Sequence, residues 1–163
     1  MKLLVLGHAR HGKDTLCETL RDNYGFKFTS SSEYCLKNII MPAIGSDYTS
    51  EQECFDDRVN RREEWFNLIR KFNEGDESRL SKAILSENDI YCGMRSKTEF
   101  EASKHLFDKI IWVDASNRLP LESLSSFEIT ESDCHYTVPN NTTKDRFLNI
   151  IRSLVICLRS DQA

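Results

Sequence analysis

An α/β fold with a mainly parallel sheet is what this sequence predicts, and three observations carry the prediction. Apolar, strand-like runs alternate with segments of helical periodicity. The first run passes through a glycine-bounded loop straight into a helix pattern. Finally, Gly7, Arg95 and Asp114 each fall at the carboxyl end of a predicted strand, where ligands sit in such sheets. With 163 residues the chain reads as one domain, able to bury roughly two-thirds of its unfolded surface.

The elements follow in order. Residues 2–6 form a buried parallel strand, ended by Gly7. A helix starts within 12–15 and carries Leu16, Cys17, Leu20 and Tyr24 at helical spacing until Gly25 stops it. Residues 26–29 read as a short strand. Ser30 and Glu33 have capping-box spacing and open a helix over 34–40, with Pro42 and Gly45 near its end. Residues 50–73 are a long polar helical stretch built around Phe55, Val59, Trp65, Phe66, Ile69 and Phe72, and another helix lies near 77–85. A second strand spans 89–94, a helix 96–107 and a third strand 109–114. Residues 115–133 are loop-rich, 135–138 make a last strand and 142–159 a final amphipathic helix.

The sequence from Gly7 through His8, Ala9, Arg10 and His11 to Gly12 and Lys13 matches G-x-x-x-x-G-K between a strand and a helix. Glycines there let successive backbone N–H groups converge on phosphate oxygens, and the helix N-terminus adds partial positive charge. Lys13 supplies a full charge to the β- and γ-phosphates of a nucleoside triphosphate. After the lysine the motif expects Ser or Thr, a Mg²⁺ ligand; Asp14 stands there and Thr15 comes next. Asp14 either ligates Mg²⁺ or takes a proton from an attacking hydroxyl, or it is a helix-end carboxylate favoured by the dipole. Thr15 remains a hydroxyl ligand for the metal. Arg10 and His11 either lean over the phosphates or face solvent.

The G-x-x-x-x-G-K-D-T loop resembles that of phage-type deoxynucleoside monophosphate kinases, members of the P-loop nucleotide kinase superfamily. FTSSSEY at 28–34, DDRVNRREEW at 56–65, NDIYCGMRSKTEFEA at 88–102, IIWVDAS at 110–116 and PNNTT at 139–143 agree with it. The resemblance implies a three-layer α/β/α P-loop kinase fold, ATP and Mg²⁺ as cosubstrates, and γ-phosphate transfer to a deoxynucleoside monophosphate (dNMP). It also implies a helical acceptor and lid region at about 31–87. A related phage branch resembles kinases that phosphorylate the hydroxymethyl group of 5-hydroxymethyluracil in DNA. The chain is shorter than the best-known phage monophosphate kinases, and no Walker-B acid ends the second strand; Arg95 sits there instead.

Phosphoryl transfer asks for positive charge around the moving group. Arg58, Arg61, Arg62 and Arg95 are the candidate donors, the first three along one helical face. Lys13, Asp14, Arg58 and Arg95 are therefore the expected catalytic residues. Ser30, Ser31 and Ser32, with Arg58 and Arg62, are the expected acceptor-binding set. By analogy with nucleotide kinases, Ser116 and Arg118 after the third strand frame the adenine together with Asn140 and Asn141. Trp65 and Trp112 are assigned to the core.

Several classes fall away. The net charge of −4 argues against tight sequence-independent binding to duplex DNA, although a local basic cleft is compatible with it. Six cysteines show no CxxC spacing, so zinc is not expected and they read as small buried residues of a reducing compartment. Apolar runs are too short for a membrane span or a leader, which points to the cytosol, that of the host if the gene is phage-borne. No NKxD-like guanine motif appears. A nucleotide-binding module without an acceptor is the remaining alternative outside enzymes.

Overall fold

The computed structural model describes residues 1–122 and 128–161. Four strands, β1 (Leu3–Leu6), β2 (Ile90–Cys92), β3 (Lys109–Asp114) and β4 (Tyr136–Pro139), form one sheet in the order β2-β1-β3-β4. Every pairing is parallel: Leu3 lies opposite Ile90 on one side and Lys109 on the other, and Ile111 lies opposite Tyr136. β1 is therefore interior, and its four residues are fully buried.

The two-residue period of a strand sends alternate side chains to opposite faces. Leu3, Val5, Ile111 and Val113 pack against α1 (Lys13–Tyr24) and α8 (Lys144–Ser160). Leu4, Leu6, Tyr91 and Trp112 face the other helices. These are α2 (Ser31–Cys35), α3 (Met41–Ile44), α4 (Glu51–Asp57), α5 (Arg62–Asn73), α6 (Arg79–Glu87) and α7 (Lys97–Ser103). Two apolar clusters on either side of one sheet make three layers, the α/β/α arrangement expected from the sequence. No helix among the described residues is long and apolar enough to cross a membrane.

Three expectations need correction. Residues 26–29 form no strand: Asp89 N still donates to Lys27 O (2.8 Å), but the Lys27 amide donates to the Asp89 carboxylate (2.9 Å) instead of a ladder carbonyl. The stretch 50–73 is two helices, broken at residues 58–61. There the Asn60 amide and side chain both bond back to Asp57, and this local pairing competes with continued helix. The helix after Ser30 reaches Pro42 and Gly45 as expected but is not α-helical throughout. It widens into a π turn over Leu36–Ile40, with Met41 N reaching back to Leu36 O, and continues into α3. Pro42 has no N–H to give the carbonyl four residues earlier, and the widened turn absorbs that loss.

Candidate active site

The loop between β1 and α1 leaves helical geometry altogether. Gly7 (φ 138°), Arg10 (φ 63°) and Gly12 (φ 104°) all take positive φ. A Cβ on Gly7 would lie 2.4 Å from Val113 O, so only glycine lets β3 pass this closely. Gly12 is the N-cap of α1 and supplies no capping side chain, leaving the first-turn amides to an outside acceptor. A Cβ there would meet Asn140 Nδ2 at 2.4 Å.

Lys13 bends back across the loop and donates to His8 O at 2.7 Å. Burial lowers its pKa; the neighbouring Cys92, Asp14 and Glu122 oppose that. Asp14 is exposed at the first turn of α1, with the Cys92 thiol 3.8 Å from Oδ1. No cluster of three or more metal-ligating side chains exists among the described residues. That donor set fits Mg²⁺, which is bound through one or two protein groups with phosphates and waters completing its shell. The exposed Asp14 carboxylate and the Thr15 hydroxyl, which has no protein partner among the described residues, are the groups able to hold it.

Glu122, which the sequence reading passed over, reaches into this cradle. Its Oε2 accepts from the Ala9 amide (2.7 Å) and its Oε1 pairs with Arg95 (2.6 Å). Burial pushes its pKa up, but Arg95, the Ala9 amide and Lys13 outweigh this and hold it below the ordinary carboxylate range. The carboxylate is thus an anion answering to an amide, a guanidinium and an ammonium. His8 completes the contact, its Nδ1 accepting from Glu122 N at 3.1 Å while the ring stands edge-on to Trp112. Burial, helped by His11 and Lys13, lowers the His8 pKa and favours the neutral ring this bond requires.

His11 does not serve phosphate through its side chain. The ring is fully buried, with Nδ1 accepting from Ala115 N (3.0 Å) and Nε2 3.4 Å from Pro120 O. It is a post tying the loop to the end of β3. Arg10 is exposed.

The segments expected to frame adenine meet beside this post. Asn140 Nδ2 donates to His11 O (2.9 Å), and Arg118 Nε donates to Asn140 O (2.6 Å). Asn141 donates to Asp114 (3.0 Å) and accepts from Asn117 N, while Ser116 N also donates to Asp114. Burial raises the Asp114 pKa, yet those bonds prevail and hold it low. Ser116 and Arg118 are exposed, Asn140 buried and Asn141 half-buried.

On the other side of Lys13 opens a cavity of about 610 Å³ between β2 and helices α2, α5, α6 and α7. Gly93 is the seam: a Cβ there would lie 4.0 Å from both Lys13 Cε and Ser31 Oγ. Of the expected acceptor residues, Ser31, Ser32 and Arg58 line it, and so does Arg95. Ser31 Oγ donates to Cys92 O (2.8 Å); Arg58 donates to Phe55 O (2.8 Å) with its guanidinium 3.9 Å over the Phe55 ring. Ser30 and Arg62 are not on the wall. Ser30 caps α2 by accepting from Glu33 N, and Arg62 is exposed at the start of α5 because the helix break turns it away from Arg58. Arg61 is held by Asp47, Tyr48 and Glu64. A second, open depression of about 530 Å³ on the outer side of α5 includes no phosphate-loop residue.

The cavity also contains residues without a sequence signal for function. Trp65, read as core, is buried but lines the wall. Glu99 sits three residues after Ser96, a spacing that reads as a helix cap. Its amide does bond Ser96 Oγ, but its carboxylate turns into the cavity wall and accepts from Ser81 (3.2 Å) and Tyr91 (3.0 Å).

No family model matches the chain, and no curated protein matches it. Among solved structures it is similar to the crystal structure of shikimate kinase from Aquifex aeolicus vf5. The match has a TM-score of 0.52 at 11% identity and covers 99% of this chain and 98% of that one. At that identity the likeness is one of fold, and the chain has the α/β fold of a P-loop kinase.

Proposed function

We propose that this chain is an ATP-dependent phosphotransferase whose acceptor is a deoxynucleoside monophosphate. One observation carries the reading: the lysine of the phosphate loop borders, across Gly93, a cavity of about 610 Å³ with Arg58, Arg70 and Arg95 on its wall. A triphosphate on the loop and an anionic acceptor in the cavity meet at Lys13, where negative charge develops during transfer.

The chain's own groups divide the work. The amides from Gly7 to Thr15 bind the phosphates, and Lys13 leaves His8 O for the transferring group. Arg95, released from Glu122 by the incoming phosphate, offsets charge between donor and acceptor. Asp14 and Thr15 would hold Mg²⁺, which would supply charge neutralisation for the transfer. Ser31, Ser32 and Arg58 take the acceptor's phosphate. The turns at Ser116, Arg118, Asn140 and Asn141 hold adenine.

An acceptor screen with radiolabelled ATP tests this. Label on one or more dNMPs above the ATP-only background is expected. Label confined to 5-hydroxymethyluracil in DNA would replace the free nucleotide by a DNA acceptor. Tight ATP binding with no transfer to any acceptor would reduce the chain to a nucleotide-binding module.

A further inference from the structure

The cavity wall has two ends along β2. Near the phosphate loop stand Arg95 and Ser31; away from it, two residues back along β2 from Gly93, the wall is closed by buried groups around Tyr91. Two residues of strand are about 7 Å, room for the two ends to meet different parts of one ligand. Its polar atoms are incompletely used. Glu99 spends Oε1 on both Ser81 and Tyr91, and its Oε2 has no protein partner among the described residues. Asn73 gives Oδ1 to Leu80 N and leaves Nδ2 without a partner among them. The Trp65 indole N–H is buried with none.

A buried donor or acceptor left unmade costs about 1–3 kcal/mol. Only the Trp65 N–H is sealed in this way; Glu99 Oε2 and Asn73 Nδ2 stay open to the cavity, and an open acceptor and an open donor on one wall point to a ligand with the complementary pair. Every nucleobase presents at least one N–H donor and one acceptor side by side on its pairing edge.

We infer that Glu99 is the specificity-determining residue of this cavity, its Oε2 accepting a hydrogen bond from an N–H on the base edge of the acceptor. Asn73 donates to the base's ring nitrogen or carbonyl. The inference rests on the nucleotide-acceptor reading above and adds to it the part of the acceptor that is recognised. A purely structural Glu99 would need neither the spare oxygen nor an unmatched Asn73 donor on the same wall. Burial pushes its carboxyl up to about 7, and a ligand N–H favours the ionised form that burial disfavours.

Calorimetric titration of ATP, the four dNMPs, their donor-blocked analogues (such as N3-methyl-dTMP) and base-free 2-deoxyribose 5-phosphate tests it, using wild type and Glu99→Gln. Expected are about tenfold weaker binding of the donor-blocked analogue by wild type and of the parent dNMP by Glu99→Gln. ATP and the base-free phosphate should bind both proteins alike. Equal affinity of wild type for parent and blocked analogue overturns the inference while leaving the nucleotide reading intact, and needs no variant to fold. So does an equal loss of the base-free phosphate in Glu99→Gln. Binding of ATP but of no dNMP by wild type removes both.

Discussion

The glycine-rich loop and the cavity beside it adjoin at Gly93 but are built in opposite ways. The loop is nine consecutive residues whose function lies in backbone direction, with positive φ at Gly7, Arg10 and Gly12 and uncapped amides at the start of α1. The cavity collects side chains from residue 31 to residue 99 across five elements, and its character lies in which side chains packing brings together. A site made of backbone is encoded locally; a site made of side chains is encoded by packing.

The contrast ranks the effects of substitutions. Lys13→Ala should lower turnover by about three or more orders of magnitude, because it removes charge stabilisation made in the transition state. Steady-state kinetics with saturating ATP checks this, and near-normal kcat would break the loop's side of the comparison.

Glu99→Gln probes the cavity's side through stability. The folded pKa near 7 lies above the ordinary 4.5, so the folded state holds its proton more tightly than the unfolded one. The sign follows: the stabilisation is complete below pH 4.5 and is lost as pH rises through 7. A shift of that size corresponds to about 3 kcal/mol. Ser81, Tyr91 and Glu77 surround the group and remain in the variant. Denaturant unfolding between pH 4.5 and 8 should show that slope in wild type and a flatter one in Glu99→Gln; identical slopes would mean the carboxyl is not enclosed as described.

Glu122→Gln should raise ATP affinity about tenfold, since the incoming phosphate no longer displaces a carboxylate from Arg95 and the Ala9 amide. Unchanged affinity would show that Glu122 does not compete for the phosphate site. Smallest of all, Arg10→Gly should cost or gain no more than about 1 kcal/mol. It trades a left-handed arginine (φ 63°) for the residue that suits that conformation, at the expense of unfolded-chain entropy. A thermal shift of many degrees in either direction would reveal a side-chain role that the exposed position does not suggest.

Much of the fold was legible because its signals are periodic and local. The four-residue burial of β1, the KIIWVD strand and the glycine stop after Tyr24 all read directly from sequence. What was not legible depended on competition. The break at residues 58–61 turns on Asp57 capturing Asn60, and it removes Arg62 from the face it was expected to share with Arg58. His11 sits inside a phosphate motif yet is enclosed by Ala115 and Pro120, more than 100 positions away in the chain. Glu99 carries a capping signal that is half true. Glu122 lies in a loop-rich stretch with no pattern that distinguishes one carboxylate from another. In each case the deciding partner is distant or unpatterned, and a linear reading has no access to it.

The central position of β1 has a consequence for how the molecule comes into being. Its partners are β2, beginning at residue 90, and β3, beginning at residue 109, so β1 cannot complete its ladder until about a hundred further residues have been made. At typical elongation rates that gap is roughly 5–20 s, a long wait for four exposed apolar residues. Parallel pairing over such separations also slows the search once synthesis ends. The nascent chain therefore carries its glycine-rich loop early but acquires the sheet that holds it late, and if the proposed function holds, ATP should speed the final approach to the native state only after β3 has emerged.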